Sequence, residues 1–394
     1  MSDAGSSVRT RWVLAAVAAG FMAALWAPMV FTALGCRERV QIMEVRKTPV
    51  RPAFAWGALE KFPEAFADYF ADAFAYRLTL SRVYGLVKVK LFHVSPTEKV
   101  LLGKDNWLYF TGSRKIEDYE GLSAPSADEL ARWQTWIAGR EAYLAARGID
   151  YHFVQVPNKI TIYPEYVPNA IRRKEPGTRL DALAPFLEAH HVRSFLDLRP
   201  TLQDARREGL VYYETGTHWN HLGAYAAYAR LCQELRGAVP SLQPIGRDAF
   251  AVGEAPGESI CRMMCLEDAD FEIPMAPRLL LRETHAQRVP FALPVGFPPG
   301  NYSLFATACD GVPRTLLVLH DSFLVDFMRR VLPEHFGRTV WMRSNGSLDH
   351  ARFVALVEAV KPDVVIEECV ERFMITTPPI EPAYAEALSR RGDS

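Results

Sequence analysis

The sequence predicts an α/β fold, a mostly parallel sheet with helices on both faces, preceded by a single N-terminal transmembrane helix. Three observations predict it: a long uncharged run near the N-terminus, short β-prone runs that alternate with helical stretches, and a composition that suits one large core. The 394 residues are 49% hydrophobic, enough for a substantial buried interior. Charge is balanced, with 45 basic and 46 acidic residues and a net charge of -1. That balance leaves no electrostatic footprint for nucleic acid, and no single-sign run suggests a polybasic lipid tether.

The first element is the run from Trp12 to Gly35, 24 residues without a charge. As a helix it would be roughly 36 Å long, sufficient for a hydrocarbon core of about 30 Å. Arg9 and Arg11 precede it and place the N-terminus in the cytoplasm. A cleaved signal peptide has a shorter apolar region, so residues 1–36 are expected to be a cytoplasmic tip and uncleaved anchor in the inner membrane. Residues 37–61 are expected to be a linker. Phe62, Phe66, Phe70, Phe74 and Leu78 then recur at helical spacing, an expected core-facing stripe that opens a helical lead-in over 62–100. Ser126 with Glu129 offers a capping box for a helix carrying Leu130, Trp133, Ile137 and Leu144, which Gly148 stops.

Beyond that stop, residues 151–156 are β-prone, as are 192–198, 315–319, 339–342 and 363–367. Helical stretches at 180–190, 222–235, 323–336 and 350–360 separate them. This alternation implies βαβ units and a parallel sheet, whose active site lies beyond the carboxyl ends of the strands. None of the six cysteines forms a C-x-x-C pair, so a zinc or thioredoxin-type site is not indicated, and no disulfide pairing is singled out.

At one strand end, Leu316–Leu319 runs into His320-Asp321-Ser322-Phe323. A serine there is exposed at the sheet edge, with backbone N–H groups of an expected helix start nearby to hold an oxyanion. A serine nucleophile needs a histidine base. His218, just before the helix expected from Leu222, is the best placed. His320 is too close along the chain to face Ser322, and His190, His191, His335 and His350 sit at helix ends.

With these pieces placed, the chain resembles the AlgX/AlgJ family of alginate O-acetyltransferases and their SGNH-hydrolase-like relatives, over roughly residues 62–373. Asp72-Ala73-Phe74-Ala75-Tyr76-Arg77 is similar to the family's Asp-His-Phe-x-x-Arg segment, with Ala73 in place of histidine. Gly103-Lys104-Asp105-Asn106-Trp107-Leu108-Tyr109, Val156-Pro157-Asn158-Lys159 and Tyr163-Pro164-Glu165-Tyr166-Val167-Pro168 follow in family order. So do Thr217-His218-Trp219-Asn220 with Gly223, Asp321-Ser322-Phe323, Pro362–Glu367, and Glu371-Arg372.

The resemblance implies an SGNH-hydrolase-like three-layer sandwich over 62–374, followed by a tail at 375–394. The short tail is expected to leave no room for a carbohydrate-binding module, as in the anchored AlgJ type. The resemblance also implies a Ser-His-Asp triad without metal or cofactor, with Ser322 as nucleophile and His218 as base. The family aspartate would lie two residues before the histidine, where this sequence has Gly216; Glu214 and Asp321 are the candidate replacements. Asn158 and the Ser322 amide are the expected oxyanion donors, and Lys159 and Arg343 are candidate contacts to an anionic glycan. The implied activity is periplasmic O-acetylation of an exopolysaccharide, with a membrane-bound O-acyltransferase supplying acetyl groups. The alternatives are a catalytically impaired scaffold of an acetylation or export complex, suggested by Gly216, and an acetyl esterase.

Overall fold

The protein is described by a computed structural model covering residues 3–36, 50–292, 294, 297, 304–345 and 348–392. It divides into two compact units, one of residues 1–97 with 261–272 and one of residues 98–260 with 273–394.

In the first unit a helix runs over Asp3–Ala33. Its stretch Thr10–Ala33 is long and apolar enough to cross a membrane and buries none of its residues inside the protein. The aromatic stripe that follows is not one core helix. A helix over Phe62–Ala73 ends where Phe74 turns extended, Tyr76 adopts a left-handed conformation, and a second helix covers Arg77–Leu86. The first of these helices buries no residue, so the stripe expected to face a core does not. Spacing reports one face of a helix, but not what covers it. Arg82 ties this unit to its distant segment through Asp270, at 2.7 Å from both Nε and Nη2.

The second unit carries the sheet. A short antiparallel hairpin, β1 (Val100–Leu102) and β2 (Leu108–Phe110), comes first. The helix Ala127–Ala145 begins with the expected capping box, the Ser126 hydroxyl accepting from the Glu129 amide and the Glu129 carboxylate accepting from the Ser126 amide. Then come β3 (Asp150–Val156) and β4 (Phe195–Asp197). A separate antiparallel pair is formed by β5 (Phe250–Pro256) and β6 (Met275–Leu281). The remaining strands are β7 (Gln287–Val289), β8 (Leu304–Ala308), β9 (Val312–His320), β10 (Phe336–Arg343) and β11 (Val364–Val370).

The main sheet has the order β4-β3-β11-β9-β10-β8-β7. Its first five strands run parallel, while β8 and β7 join antiparallel at one edge. Parallel strands covered on both faces are apolar throughout, and β9 buries every residue from Leu316 to His320. Alternate residues feed two cores. Val154, Leu316, Val318 and Ile366 face one, with residues of the helix His221–Glu234; Phe153, Leu317, Leu319 and Val365 face the other, with residues of Ala127–Ala145 and His350–Val360. Helix, sheet and helix make the three layers.

Two expected boundaries shift. The stretch 323–336 is not a continuous helix: a turn covers 322–327 and the helix is only Met328–Val331. The segment expected as a tail holds a helix, Pro382–Gly392, whose Tyr384 is fully buried beside Arg140. Arg140 is itself fully buried, donating to Glu367 at 2.6 Å, the Tyr384 hydroxyl at 2.9 Å and the Leu348 carbonyl at 2.6 Å. Its guanidinium also lies 4.0 Å from the Trp136 ring centre.

Candidate active site

Ser322 lies two residues beyond β9, at the carboxyl end of the central strand, which is where a parallel sheet exposes side chains for chemistry. The turn is held by Asp321, which is fully buried. Its carboxylate accepts from the Phe323 amide at 2.8 Å and from the Val370 amide at 3.0 Å, joining the ends of β9 and β11. Asp321 is therefore a structural cap for the serine turn, occupied by backbone donors rather than by a histidine. The expected helix N-terminus beside Ser322 is replaced by turn backbone, because the helix starts only at Met328.

His218 arrives from a hairpin-like loop. Tyr212 bridges to Trp219, the Tyr213 amide donates to the His218 carbonyl at 3.2 Å, and the Asn220 amide donates to the Val211 carbonyl at 3.0 Å. Asn220 then caps the helix His221–Glu234, its side-chain oxygen accepting from Leu222 and Gly223 at 2.9 and 3.1 Å. Gly223 allows this close approach, since a Cβ there would lie 2.3 Å from the Val211 carbonyl oxygen. The Trp219 indole donates to the Phe323 carbonyl at 3.0 Å, locking the histidine turn to the serine turn. The result is that His218 Nε2 and Ser322 Oγ stand 2.8 Å apart.

The carboxylate behind this histidine is Glu258, which lies two residues beyond β5 and which the sequence did not single out. Its Oε1 is 2.8 Å from His218 Nδ1, and its Oε2 accepts from the backbone amides of Thr217 at 3.1 Å and His218 at 3.0 Å. Thr215 laces the segment in place, donating its hydroxyl to the Glu258 carbonyl at 2.8 Å and accepting from the Ile260 amide at 2.9 Å. Burial alone would raise the Glu258 carboxyl, but His218 and the two amides outweigh it and hold it below the usual carboxylate value. Gly216 makes the room: a Cβ there would lie 2.6 Å from Glu258 Oε2. The two expected carboxylates are thus replaced. Glu214 contributes its backbone carbonyl, which accepts from the Leu108 amide at 3.0 Å and from Lys159 at 2.8 Å.

Lys159 is buried rather than solvated. It is 4% exposed, and its ammonium spreads its protons over the carbonyls of Leu108, Tyr213, Glu214 and Gly216 at 2.5–2.9 Å, directly beneath the His218 loop. Burial lowers its pKa to about 7, against the raising influence of Glu258 and Glu214. Asn158 is also buried, donating its backbone N–H to Glu371 at 2.7 Å, while its side-chain Oδ1 has no partner among the described residues. Arg343 is exposed at the end of β10 and lines the same cleft as Ser322. That cleft holds about 450 Å³, and Tyr213, His218, Glu258, Arg278 and Ser322 also border it. A further cation approaches the serine, with Arg372 Nη2 3.4 Å from Ser322 Oγ.

A serine, a histidine and a carboxylate linked in series at the edge of a three-layer α/β sandwich define an SGNH-hydrolase-like protein. Residues 100–262 match the family described as the SGNH hydrolase-like domain of the acetyltransferase AlgX. That domain match and the AlgJ relatives support a place for the chain in the AlgX/AlgJ family. The probable alginate O-acetylase AlgJ of Pseudomonas aeruginosa is 28% identical over 179 residues, 45% of this chain and 43% of that protein. The corresponding protein of Pseudomonas syringae pv. tomato is 27% identical over 191 residues, 47% and 44% of the two chains. The chain therefore spans less than half the length of these relatives. Among solved structures, the O-acetyltransferase domain of Pseudomonas putida AlgJ aligns over 74% of this chain and 99% of that one, at 19% identity and a TM-score of 0.48.

Proposed function

We propose that this chain is an anchored periplasmic O-acetyltransferase that moves acetyl groups onto hydroxyls of an exopolysaccharide through an acetyl-serine intermediate at Ser322. The observation that carries this reading is the hydrogen-bonded series Ser322–His218–Glu258, at 2.8 Å for each link. His218 Nε2 takes the Ser322 proton as Oγ attacks the donor's carbonyl carbon, and returns it to the departing donor oxygen as the acetyl–serine ester forms. In the second half the same nitrogen takes a proton from a sugar hydroxyl, whose oxygen attacks the ester, and Ser322 recovers its hydrogen. Glu258 holds the imidazole with its proton on Nδ1 and stabilises the imidazolium. The Ser322 amide and the Arg372 guanidinium would receive the negative charge that develops on the carbonyl oxygen, with Asn158 the further candidate donor.

The donor is proposed to be an activated acetyl ester delivered by a membrane-bound O-acyltransferase, with the span at residues 12–35 holding the domain on the periplasmic side of the inner membrane. The scaffold reading rested on the missing carboxylate at position 216, and Glu258 removes its motive. Acetyl release to water separates an esterase from a transferase acting on the same intermediate. The test is mass spectrometry of the protein after a pulse of a chromogenic acetyl ester. An acetyl group on the Ser322 peptide, absent in Ser322→Ala, is expected, with faster discharge when oligosaccharide is added. An unmodified Ser322 in a protein that still promotes glycan acetylation would return the scaffold reading.

A further inference from the structure

Among the described residues the aromatic stripe at 54–74 is left partly open, and its position argues for what covers it. Phe62, Phe66, Phe70 and Phe74 stack in sequence, with ring centres 5.7, 6.2 and 6.1 Å apart, and Phe54 meets Phe62 edge-on at 5.3 Å. Trp56 beside them is 80% exposed. Glu64 and Asp68 sit two residues from stripe positions, a rotation of about 200° that puts them on the opposite side of the helix. Phe66 is exposed and Phe62, Phe70 and Phe74 are half-buried, and a partly exposed run of aromatics of this size on a water-facing helix would be a liability. The next helix repeats the feature, with Leu80, Val83 and Tyr84 exposed and Val87 and Leu91 exposed beyond it.

The stripe is joined to the end of the membrane-spanning helix. The Ala75 amide donates to the Thr32 hydroxyl at 2.7 Å, and Phe31 and Tyr76 meet edge-on at 5.3 Å. Thr32 lies one residue from the end of the apolar stretch Thr10–Ala33. The C-terminal end of the stripe therefore sits where the span leaves the hydrocarbon, with Tyr76 at the depth where tyrosine and tryptophan rings are enriched. From this geometry we infer that the helix Phe62–Ala73 lies in the headgroup region of the outer leaflet, with the Phe62–Phe66–Phe70 side toward the acyl chains and Glu64 and Asp68 toward water. The occupant of the stripe is the bilayer itself. The inference rests on the proposed anchor and adds to it a second contact, which would fix the orientation of this unit on the membrane.

The test uses the full chain in phosphatidylethanolamine–phosphatidylglycerol nanodiscs, with the partly exposed Cys36, Cys265 and Cys309 replaced by serine. Bimane is attached in turn through Phe66→Cys, Asp68→Cys and Phe21→Cys, the last at mid-span. Lipids bearing a nitroxide near the headgroup should quench the Phe66→Cys label several-fold more than the Asp68→Cys label, with aqueous iodide showing the reverse. Phe62→Cys repeats the stripe measurement should Phe66→Cys fold poorly. Equal iodide access at both positions overturns the inference. So does a stripe label shielded from both quenchers, which would assign the stripe to protein contact. A Phe21→Cys label that deep acyl nitroxides fail to quench removes the anchor, and the inference with it; a quenched Phe21→Cys label beside an unquenched stripe removes the inference alone.

Discussion

Glu258→Gln is the substitution that most sharply separates a working triad from an accidental cluster. The change keeps size and shape, so the cost is electronic. The single oxygen of the new amide would stay with the Thr217 and His218 backbone N–H groups, from which Glu258 Oε2 now accepts at 3.1 and 3.0 Å. The NH₂ group then faces His218 Nδ1, where Glu258 Oε1 now sits at 2.8 Å. An NH₂ can only donate, so Nδ1 would become an acceptor and the ring proton would move to Nε2. That nitrogen, 2.8 Å from Ser322 Oγ, could then no longer take the serine proton. The equivalent tautomer error in a serine protease lowers turnover about 10⁴-fold, or about 5.5 kcal/mol of barrier. The expected result is a loss of that order in kcat for chromogenic acetyl-ester turnover, with KM little changed and thermal unfolding near wild type. The backbone-bonded oxygen is retained, which is why stability should survive. Activity within about tenfold of wild type, less than about 1.4 kcal/mol of barrier, would refute the assignment of Glu258. Gly216→Asp alone should be damaging, because its Cβ would lie 2.6 Å from Glu258 Oε2 and bring a second carboxylate. The exchange Gly216→Asp with Glu258→Gly should recover part of what either single change loses.

Three further expectations follow from buried groups. Lys159→Met removes a donor shared by four carbonyls, of which that of Glu214 keeps the Leu108 amide, and should destabilise the protein by on the order of 3 kcal/mol, read by denaturant unfolding, with kcat falling as the His218 loop loosens. Arg140→Met leaves the Glu367 charge buried without its counter-ion, held by the Tyr151 hydroxyl alone among the described residues, and should cost about 3–5 kcal/mol in the same assay. Glu371 is raised to about 7 by burial, which outweighs its hydrogen bonds from Thr161 and Asn158. Folding therefore favours its neutral form: the contribution is whole below the unfolded value near 4.5 and is lost as pH rises through 7, worth up to about 3 kcal/mol. The melting temperature should fall between about pH 4.5 and pH 7, and Glu371→Gln should flatten that fall; an unchanged slope would remove Glu371 as its source.

The sheet was legible because parallel strands write themselves as uninterrupted apolar runs, and all five expected strands are present within a few residues. The antiparallel edge and the β5–β6 pair were not, since short exposed strands such as Gln287–Val289 carry little hydrophobic signal. Ser322 and His218 were readable from their places at a strand end and before a helix cap. Glu258 was not, because it lies 40 residues from His218 and reaches it through tertiary lacing by Thr215. The available signal was indirect: a glycine where a carboxylate belongs leaves space for one from elsewhere. Lys159 was misread for the opposite reason, as a lysine at a strand end is ordinarily solvated, and only the fold reveals carbonyls converging on it.

The peptide between Gly216 and Thr217 has a charge at each end. Its carbonyl accepts from the Lys159 ammonium at 2.6 Å, and its N–H donates to the Glu258 carboxylate at 3.1 Å. In a trans peptide these two bonds point in opposite directions, so the dipole of about 3.5 D lies along the line from cation to anion. Each charge polarises the peptide in the sense that strengthens its bond to the other. The amide plane acts as a conductor of electrostatic influence, from a lysine sealed under the loop to the carboxylate that holds His218 Nδ1. A glycine hinge, the residue most free to let that plane rotate, is clamped at both poles and cannot spin out of alignment.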